Sequence, residues 1–500
     1  MKKIFLILLL VLLLTNISPA QNIDDALRYS QTFYSGTGTA RFMSMGGAFT
    51  ALGGDISTLG QNPAGLGVFR SSEFTITPQL FHFNANANFN GTSSKDFLYD
   101  FNLAQIGIVA NLINNSDNEN GLVSLNFGYS FNKTNNFNQN FTMESSDNTS
   151  SLADYWANIS SGFTKDELSS NVPDAFLAWD TWLIDTLSGS SNQYGTVYSN
   201  YGDNPPSQYG QRMRRLISNS GYTGEHELSI GGNYANKLYF GATLGITRLS
   251  YDSQYEHMES TDAVLPSAFS KFDYNYYYSD AGTGYTLKTG IIYKPIENLR
   301  LGFAFHSPTI YHIDEVISDK ISTYFTDSSV PYTSDNGSSR FNYSLTTPFR
   351  ILTGIAFQIQ KLALLSADYE YVDYSTAKFA ETGDGYDYSQ KNLDIRNGLR
   401  AASNFRLGAE FRLKNLYLRG GYGYYGKTFA SGDLNDNMNY NSISCGIGFR
   451  EKNIFADLGF SSLMNSQDYI LYSSTAGSAM SDMNISRNIF AVTFGYKFGY

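Results

Sequence analysis

The side chains in this chain that could do chemistry are spaced in a way that argues against a reaction centre. Its five histidines, His82, His226, His257, His306 and His312, show no HExxH spacing, and there is no G-x-S-x-G elbow and no P-loop. "GTGTAR" and "GTGYTLKTG" carry glycines without the strand, turn and helix that a phosphate cradle needs. Gly432 to Asn439, "GDLNDNMN", has the acids and amides of a calcium loop but lacks its closing glutamate, so a solvated loop is expected there. No catalytic residue, metal or cofactor is therefore expected. What is regularly placed is charge: Lys288, Arg300, Arg350, Asp368, Glu370, Arg406, Glu410, Arg412, Asp457 and Lys497 each stand where a polar residue alternates with greasy neighbours. Guanidinium groups hold carboxylates in bidentate pairs. Arg300, Arg350 and Arg406 are thus candidates for gripping an acidic head group, and the remaining charges for ion-pair ladders.

The elements that must position these charges are strands. In "NIFAVTFGYKFGY", Phe490, Val492, Phe494, Tyr496, Phe498 and Tyr500 alternate with Ala491, Thr493, Gly495, Lys497 and Gly499. The same period of two runs through "NFRLGAEFRL" (Asn404 to Leu413), "VSLNFGYSF" (Val123 to Phe131), "LYFGATLGIT" (Leu238 to Thr247), "LRLGFAFH" (Leu299 to His306) and "ISCGIGFR" (Ile443 to Arg450). With 38 Tyr, 36 Phe and 45 Gly against 11 Pro, the composition favours aromatic-rich strands. After the leader no stretch is apolar for long enough to be a transmembrane helix. A soluble sandwich would also alternate, but a face this rich in glycine opposite a greasy one fits the dyad repeat of a membrane barrel. About fourteen such segments can be placed, among them 103–113, 225–235, 283–294, 299–311, 348–360 and 487–499. Tight connectors such as Ala235-Asn236-Lys237, Gln360-Lys361 and Lys414-Asn415 alternate with long polar ones, which puts both chain ends on the short-turn side. Basic groups on a lipid face cost about 2–4 kcal/mol at mid-membrane, so the charges are expected in the lumen. Cys445 shares the face of Ile443, Ile447 and Phe449 and is expected to meet lipid.

The leader sets the compartment. Lys2 and Lys3 precede an apolar run from Ile4 to Leu14, and Ser18-Pro19-Ala20 offers a cleavage site after Ala20, so residues 1–20 read as a signal peptide. Cys445 is the single cysteine, which rules out an internal disulfide. A net charge of −11 and a pI near 5.0 argue against nucleic acid as a partner.

Between leader and first strand lies "GTARFMSMGGAFTALGGDISTLGQNPAGLG". Its most specific part is the small-residue run Met45 to Ala51, then Asp55, then Asn62-Pro63-Ala64-Gly65-Leu66. Followed by about fourteen strands and an aromatic C-terminus, this resembles the FadL family of outer-membrane channels for hydrophobic compounds, some of whose relatives carry a hemin-receptor label. The resemblance spans nearly the whole mature chain. It implies an all-β transmembrane antiparallel barrel (71–500) in the cell outer membrane, with residues 21–70 folded into the lumen as a plug or hatch. Gly46, Gly47, Gly53, Gly54 and Gly60 would allow close backbone approach there, and Asn62-Pro63-Ala64 would fix the exit toward the first strand. An extracellular insertion at 135–224 holds all three tryptophans, Trp156, Trp179 and Trp182. "SLADYWANI" and "NVPDAFLAWDTWLIDTL" read as helices within it, the second capped by Asn171, opened by Pro173 and carrying Phe176, Trp179, Leu183 and Leu187 at helical spacing. By resemblance, Trp156, Phe176, Trp179, Trp182 and Leu183 form an external groove for first capture, and exit is sideways through the wall. The expected role is passive uptake of hydrophobic small molecules such as long-chain fatty acids, hydrocarbons or hemin-like compounds. The expected partners are outer-membrane lipid and that ligand, the chain being monomeric. The alternatives are a barrel of the same build serving as scaffold or shuttle for exported surface proteins, and an outer-membrane hydrolase whose Ser and His meet only in space.

Overall fold

The structure is a computed structural model that describes residues 23–115, 120–199, 208–265, 267–383 and 385–499. The leader expected at 1–20 and Tyr500 lie outside the described residues. The chain starts with helices α1 (Ile23–Ser30) and α2 (Ala40–Ser44) and three 3-10 turns, Tyr34–Gly36, Ile56–Gly60 and Pro63–Val68. Strands β1 (Ser72–Phe89), β2 (Thr92–Asn114), β3 (Leu122–Asn136) and β4 (Gln139–Ser145) follow. Next come helices α3 (Leu152–Ser160), α4 (Lys165–Asn171) and α5 (Pro173–Asp180), with the small hairpin β5 (Ile184–Thr186) and β6 (Tyr194–Thr196). The wall resumes with β7 (Arg212–Tyr234), β8 (Leu238–Ser260), β9 (Phe269–Ile296), β10 (Leu299–His306), β11 (Ile310–Phe325), β12 (Tyr332–Thr346), β13 (Arg350–Ile359), β14 (Ala363–Asp373) and β15 (Lys378–Glu381). After α6 (Ser389–Gly398) it closes with β16 (Ala401–Leu413), β17 (Leu416–Tyr425), β18 (Tyr440–Glu451), β19 (Ile454–Ser474) and β20 (Gly477–Phe498).

All strands but β5 and β6 belong to one antiparallel sheet. The pairs β3/β4, β10/β11, β12/β13 and β14/β15 are single wall crossings, each interrupted once, so the sheet makes fourteen crossings. Pro308 and Pro348 stand in two of the interruptions, where the missing N–H cannot serve the ladder. β20 pairs with β1 from Ser72↔Phe498 to Phe89↔Ser481 and closes the barrel. The alternation falls as expected: Phe490, Phe494 and Tyr496 face outward about half exposed, while Ile489, Ala491 and Thr493 are buried inside. Cys445 is exposed on the same outer face as Ile443 and Ile447. The tight turns at the short-turn end use left-handed residues, Ala235 and Asn236, Gln360, Lys414 and Lys452.

Three sequence expectations need correction. First, the strands are longer than the greasy alternation: the segments expected at 103–113, 225–235, 283–294 and 487–499 run over 92–114, 212–234, 269–296 and 477–498, and β11 and β12 prolong those expected at 299–311 and 348–360. Beyond the lipid band outward residues meet water, so Asn, Ser and Tyr replace greasy ones while the backbone ladder continues. Second, for the same reason the insertion is 146–211 rather than 135–224, because β4 and β7 reach to Ser145 and from Arg212. Third, Leu183 and Leu187 do not ride on the second insertion helix, which stops at Asp180; the chain then turns through Trp182, held at φ +62°. Asn171 ends α4, and Val172 rather than Asn171 stands at the start of α5, with Pro173 in its first turn.

Candidate functional site

The site is the lumen, and it is assembled from the plug outward. Short polar side chains cap three of the plug turns: Thr39 accepts from the Phe42 N–H, Asp55 from that of Ser57 and Asn62 from that of Ala64. Asp55 also accepts the Thr39 hydroxyl at 2.9 Å, tying two turns together. Asn62, extended before Pro63, donates to the carbonyls of Thr50 (2.6 Å) and Ile291 (3.3 Å), so one amide pins the plug to itself and to the wall. Gly46 has φ +65°, and a Cβ there would stand 3.0–3.2 Å from backbone atoms of Leu407 and Tyr422. The plug touches the wall backbone to backbone, which only glycine in this conformation permits. Gly47, Gly53 and Gly54 also have positive φ, and Gly54 donates to the Gly65 carbonyl at 3.2 Å. Pro63, Ala64 and Gly65 are buried together with Leu66 and Gly67.

Charges lock this plug in place. Glu370 on β14 accepts from Arg350 and, at 2.5 Å, from Arg406; Arg350 also donates to the Ser30 carbonyl at the end of α1. Asp368 accepts the N–H (3.0 Å) and hydroxyl (2.7 Å) of Thr50. Nearer the short-turn end Glu410 accepts from Arg41 of the plug (3.0 Å), Arg419 (2.8 Å) and Arg412 (3.0 Å), and Asp457 from Arg419 (2.7 Å) and Arg450 (3.3 Å). Lys288 bridges Glu225 (2.7 Å) and the Gly60 carbonyl (3.0 Å), and the His306 Nε2–H donates to the Gln61 carbonyl at 2.7 Å. Arg300, Arg350 and Arg406, expected to offer a head-group site, are all inside the lumen; Arg300 donates to the Leu52 carbonyl and the other two converge on Glu370. They are clamps on the plug and wall.

Above the plug, between α1 and the upper wall, lies a cavity of about 460 Å³. Aromatic rings share its sides with amide and charged groups: Phe33 packs on Tyr440 at 4.6 Å between centroids, Phe137 on Tyr251 at 5.4 Å and Tyr251 on Tyr278 at 5.9 Å, among Gln31, Asn135, Asn136, Asn219 and Gln467. Arg28 of α1 sits 4.3 Å from the Tyr251 ring centre, and Arg487 of β20 reaches in from the opposite wall. Over the barrel mouth sits the helical cap. Trp156 is only 1% exposed, packed edge-on against Phe272 and Tyr274, and Leu183 is fully buried. Those two residues are the core of the cap. Phe176 and Trp179 pack on each other at 5.9 Å and are partly buried, and Trp182 is 48% exposed. The five expected capture residues thus divide into two beneath the cap and three at its surface.

One feature of the wall has no counterpart among the sequence expectations. β2 pairs with β3 only between Gln105↔Asn132 and the short-turn end, whereas β4 pairs with β7 alone. From Asp96 to Leu103, β2 therefore has β1 on one side and no ladder on the other. Side chains bridge the seam instead. Asp96 accepts the N–H (2.7 Å) and hydroxyl (3.0 Å) of Thr142, and Asp100 accepts from Asn138 (2.8 Å) and Asn136 (3.1 Å), with Lys133 at 3.6 Å. Asn135, Asn136, Phe137, Gln139 and Phe141 of this seam also line the cavity. The available sequence clue is the run "NKTNNFNQN" (Asn132 to Asn140), whose amides are poor strand formers.

No protein-family profile and no curated protein match the chain. Among solved structures, the P. putida toluene transporter TodX matches over 93% of this chain and 100% of its own, with a TM-score of 0.54 at 14% identity. A Pseudomonas aeruginosa FadL homologue matches over 94% and 100%, with a TM-score of 0.52 at 13% identity, and the monoaromatic hydrocarbon channel CymD over 94% and 100%, with 0.50 at 12%. A plugged, closed barrel of fourteen crossings matched end to end by these structures gives the chain the fold of the FadL-type channels.

Proposed function

We propose that this chain is an outer-membrane channel for passive uptake of hydrophobic small molecules, which leave the lumen sideways through the seam between β2 and β4. The observation that supports this most directly is the meeting of two features: a cavity lined by aromatic rings and polar groups above a clamped plug, and a wall segment beside it held by a few side-chain hydrogen bonds. An apolar solute gains about 25 cal/mol for each Å² it removes from water. Passing downward would mean breaking the ion pairs that hold the plug and entering water again. Passing sideways means parting Asp96 from Thr142 and Asp100 from Asn136 and Asn138, beyond which lie Phe97, Tyr99 and Phe101 on the outer face. In this reading Phe176, Trp179 and Trp182 make the first contact at the cap surface. Like TodX and CymD, whose names give toluene and monoaromatic hydrocarbons, the chain would carry compounds of the greasy class.

The test is a reversible staple across the seam. In a Cys445→Ala background, Asp100→Cys with Asn138→Cys should form a disulfide on oxidation. Uptake of a radiolabelled hydrocarbon or fatty acid should then stop, and return on reduction. Full uptake by the stapled barrel would refute lateral exit here.

A further inference from the structure

Resting on the uptake reading, the polar groups of the lumen cavity narrow the substrate class. Among the described residues, the inward cations Arg41, Lys133, Lys288, Arg350, Arg406 and Arg419 are each ion-paired. Arg300 and Arg215 donate to the backbone carbonyls of Leu52 and Leu471. Arg487 has neither kind of partner. Its Nη1 donates to the Asn465 amide oxygen at 2.9 Å and its guanidinium lies 5.9 Å from the Phe83 ring centre. The Nε and Nη2 edge makes no hydrogen bond within the described residues, and the side chain lines the cavity. The acids of α1 that also line it, Asp24 and Asp25, stand with Arg28, which is ion-paired to Asp25; Asp468 lines it too, its N–H bound to Asn435.

A bare hydrocarbon filling this cavity would strip water from Arg487 and return nothing, which is costly for a charged group. A planar carboxylate matches the free guanidinium edge in charge and in its two-point geometry. The rest of the molecule would meet Phe33, Phe137, Tyr251, Tyr278, Phe429 and Tyr440, whose edges and faces favour another ring. A cavity of about 150 Å³ suffices for a benzene, so one of about 460 Å³ has room for a ring with a short acidic tail. We infer that the lumen cavity selects ring-bearing amphipathic carboxylates, with Arg487 receiving the carboxylate.

Three matched probes test this on the full-length protein in detergent, by titration calorimetry: 4-phenylbutanoate, 4-phenylbutan-1-ol and n-butylbenzene. The wild type should bind the acid about tenfold more tightly than the alcohol, the scale of one charge-assisted hydrogen bond. Arg487→Gln should bring acid and alcohol to parity and tighten butylbenzene, since the charge it would dehydrate is gone, and Arg487→Lys should restore part of the preference; heat-modifiable gel mobility confirms each variant as a folded barrel. Equal binding of acid and alcohol by the wild type, or a preference surviving in Arg487→Gln, overturns the inference and leaves the uptake reading intact. Failure of all three probes to bind the wild type counts against the uptake reading itself.

Discussion

At the scale of single residues, Glu370 decides whether the plug is held. It is fully buried and takes hydrogen bonds from two guanidinium groups, one of which also grips the end of α1. Glu370→Gln would leave Arg350 and Arg406 facing an amide, and breaking a buried pair by removing one partner typically costs about 3–5 kcal/mol. Urea unfolding in lipid vesicles should show a loss of that order, and α1 should become accessible to protease in the still-folded barrel; a change within about 0.5 kcal/mol, as for a surface substitution, would contradict the clamp. That the charged positions face inward was legible, because one lipid-facing side forces the alternation on every strand. Their pairing was not. Arg350 and Glu370 are neighbours only through the register of β13 on β14, and Arg350 and Ser30 only through the way the plug is folded. For the same reason Arg300, Arg350 and Arg406 read as available in the sequence, while Arg487, in the polar upper half of β20 where the greasy period has faded, did not stand out.

At the scale of elements, the attachment of the cap should weaken as pH rises. Asp174, in the first turn of α5, is exposed on one side, and its pKa is raised, chiefly by the protein atoms that displace water on the other and further by the Asp319 carboxyl opposite it. Asp319 is itself held by Asn336 at 2.9 Å and faces the Tyr274 hydroxyl. A carboxyl whose pKa is raised on docking binds more protons docked than undocked, so docking weakens as pH rises from the ordinary carboxyl range toward neutrality. Protection factors of the α5 amides, which divide out the intrinsic pH dependence of exchange, should therefore be higher near pH 5 than near pH 8, and Asp174→Asn should remove most of the difference. An unchanged pH profile in Asp174→Asn would place the dependence elsewhere. The cap also shows which element signals survive in a sequence. The helix at Leu152–Ser160 was legible in "SLADYWANI", and the structure adds the Ser151 capping box that starts it. The end of α5 at Asp180 was not, since Leu183 and Leu187 continue the helical spacing in a chain that has already turned at Trp182.

At the scale of the whole molecule, a barrel of fourteen crossings encloses more space than its inward side chains fill, and the plug takes up the remainder. Strand number, closure and facing all follow from the period of two in the sequence, because lipid outside and packed or wetted space inside impose it on each crossing. The seam does not follow, since losing one ladder along β2 from Thr92 to Ala104 leaves both faces of the strand unchanged. The fit of the plug is where this architecture is most easily tested. Gly46 abuts the backbone of β16 and β17 at Leu407 and Tyr422, and its φ of +65° excludes side chains at some cost even where there is space. Gly46→Leu cannot be accommodated by moving a flexible neighbour, because the atoms in the way are wall backbone. Either the wall ladder or the plug must yield; the ladder is a continuous run of hydrogen bonds between β16 and β17, whereas the backbone bonds of this plug segment from Met45 to Phe49 are short local turn bonds. The plug should therefore lift. Planar-bilayer recordings should show the wild type nearly closed to small ions and Gly46→Leu with a several-fold higher conductance, while heat-modifiable gel mobility reports the barrel as folded. If the variant folds and its conductance matches the wild type, the lumen is not sealed by residues 21–70 and the sideways route loses its main physical reason.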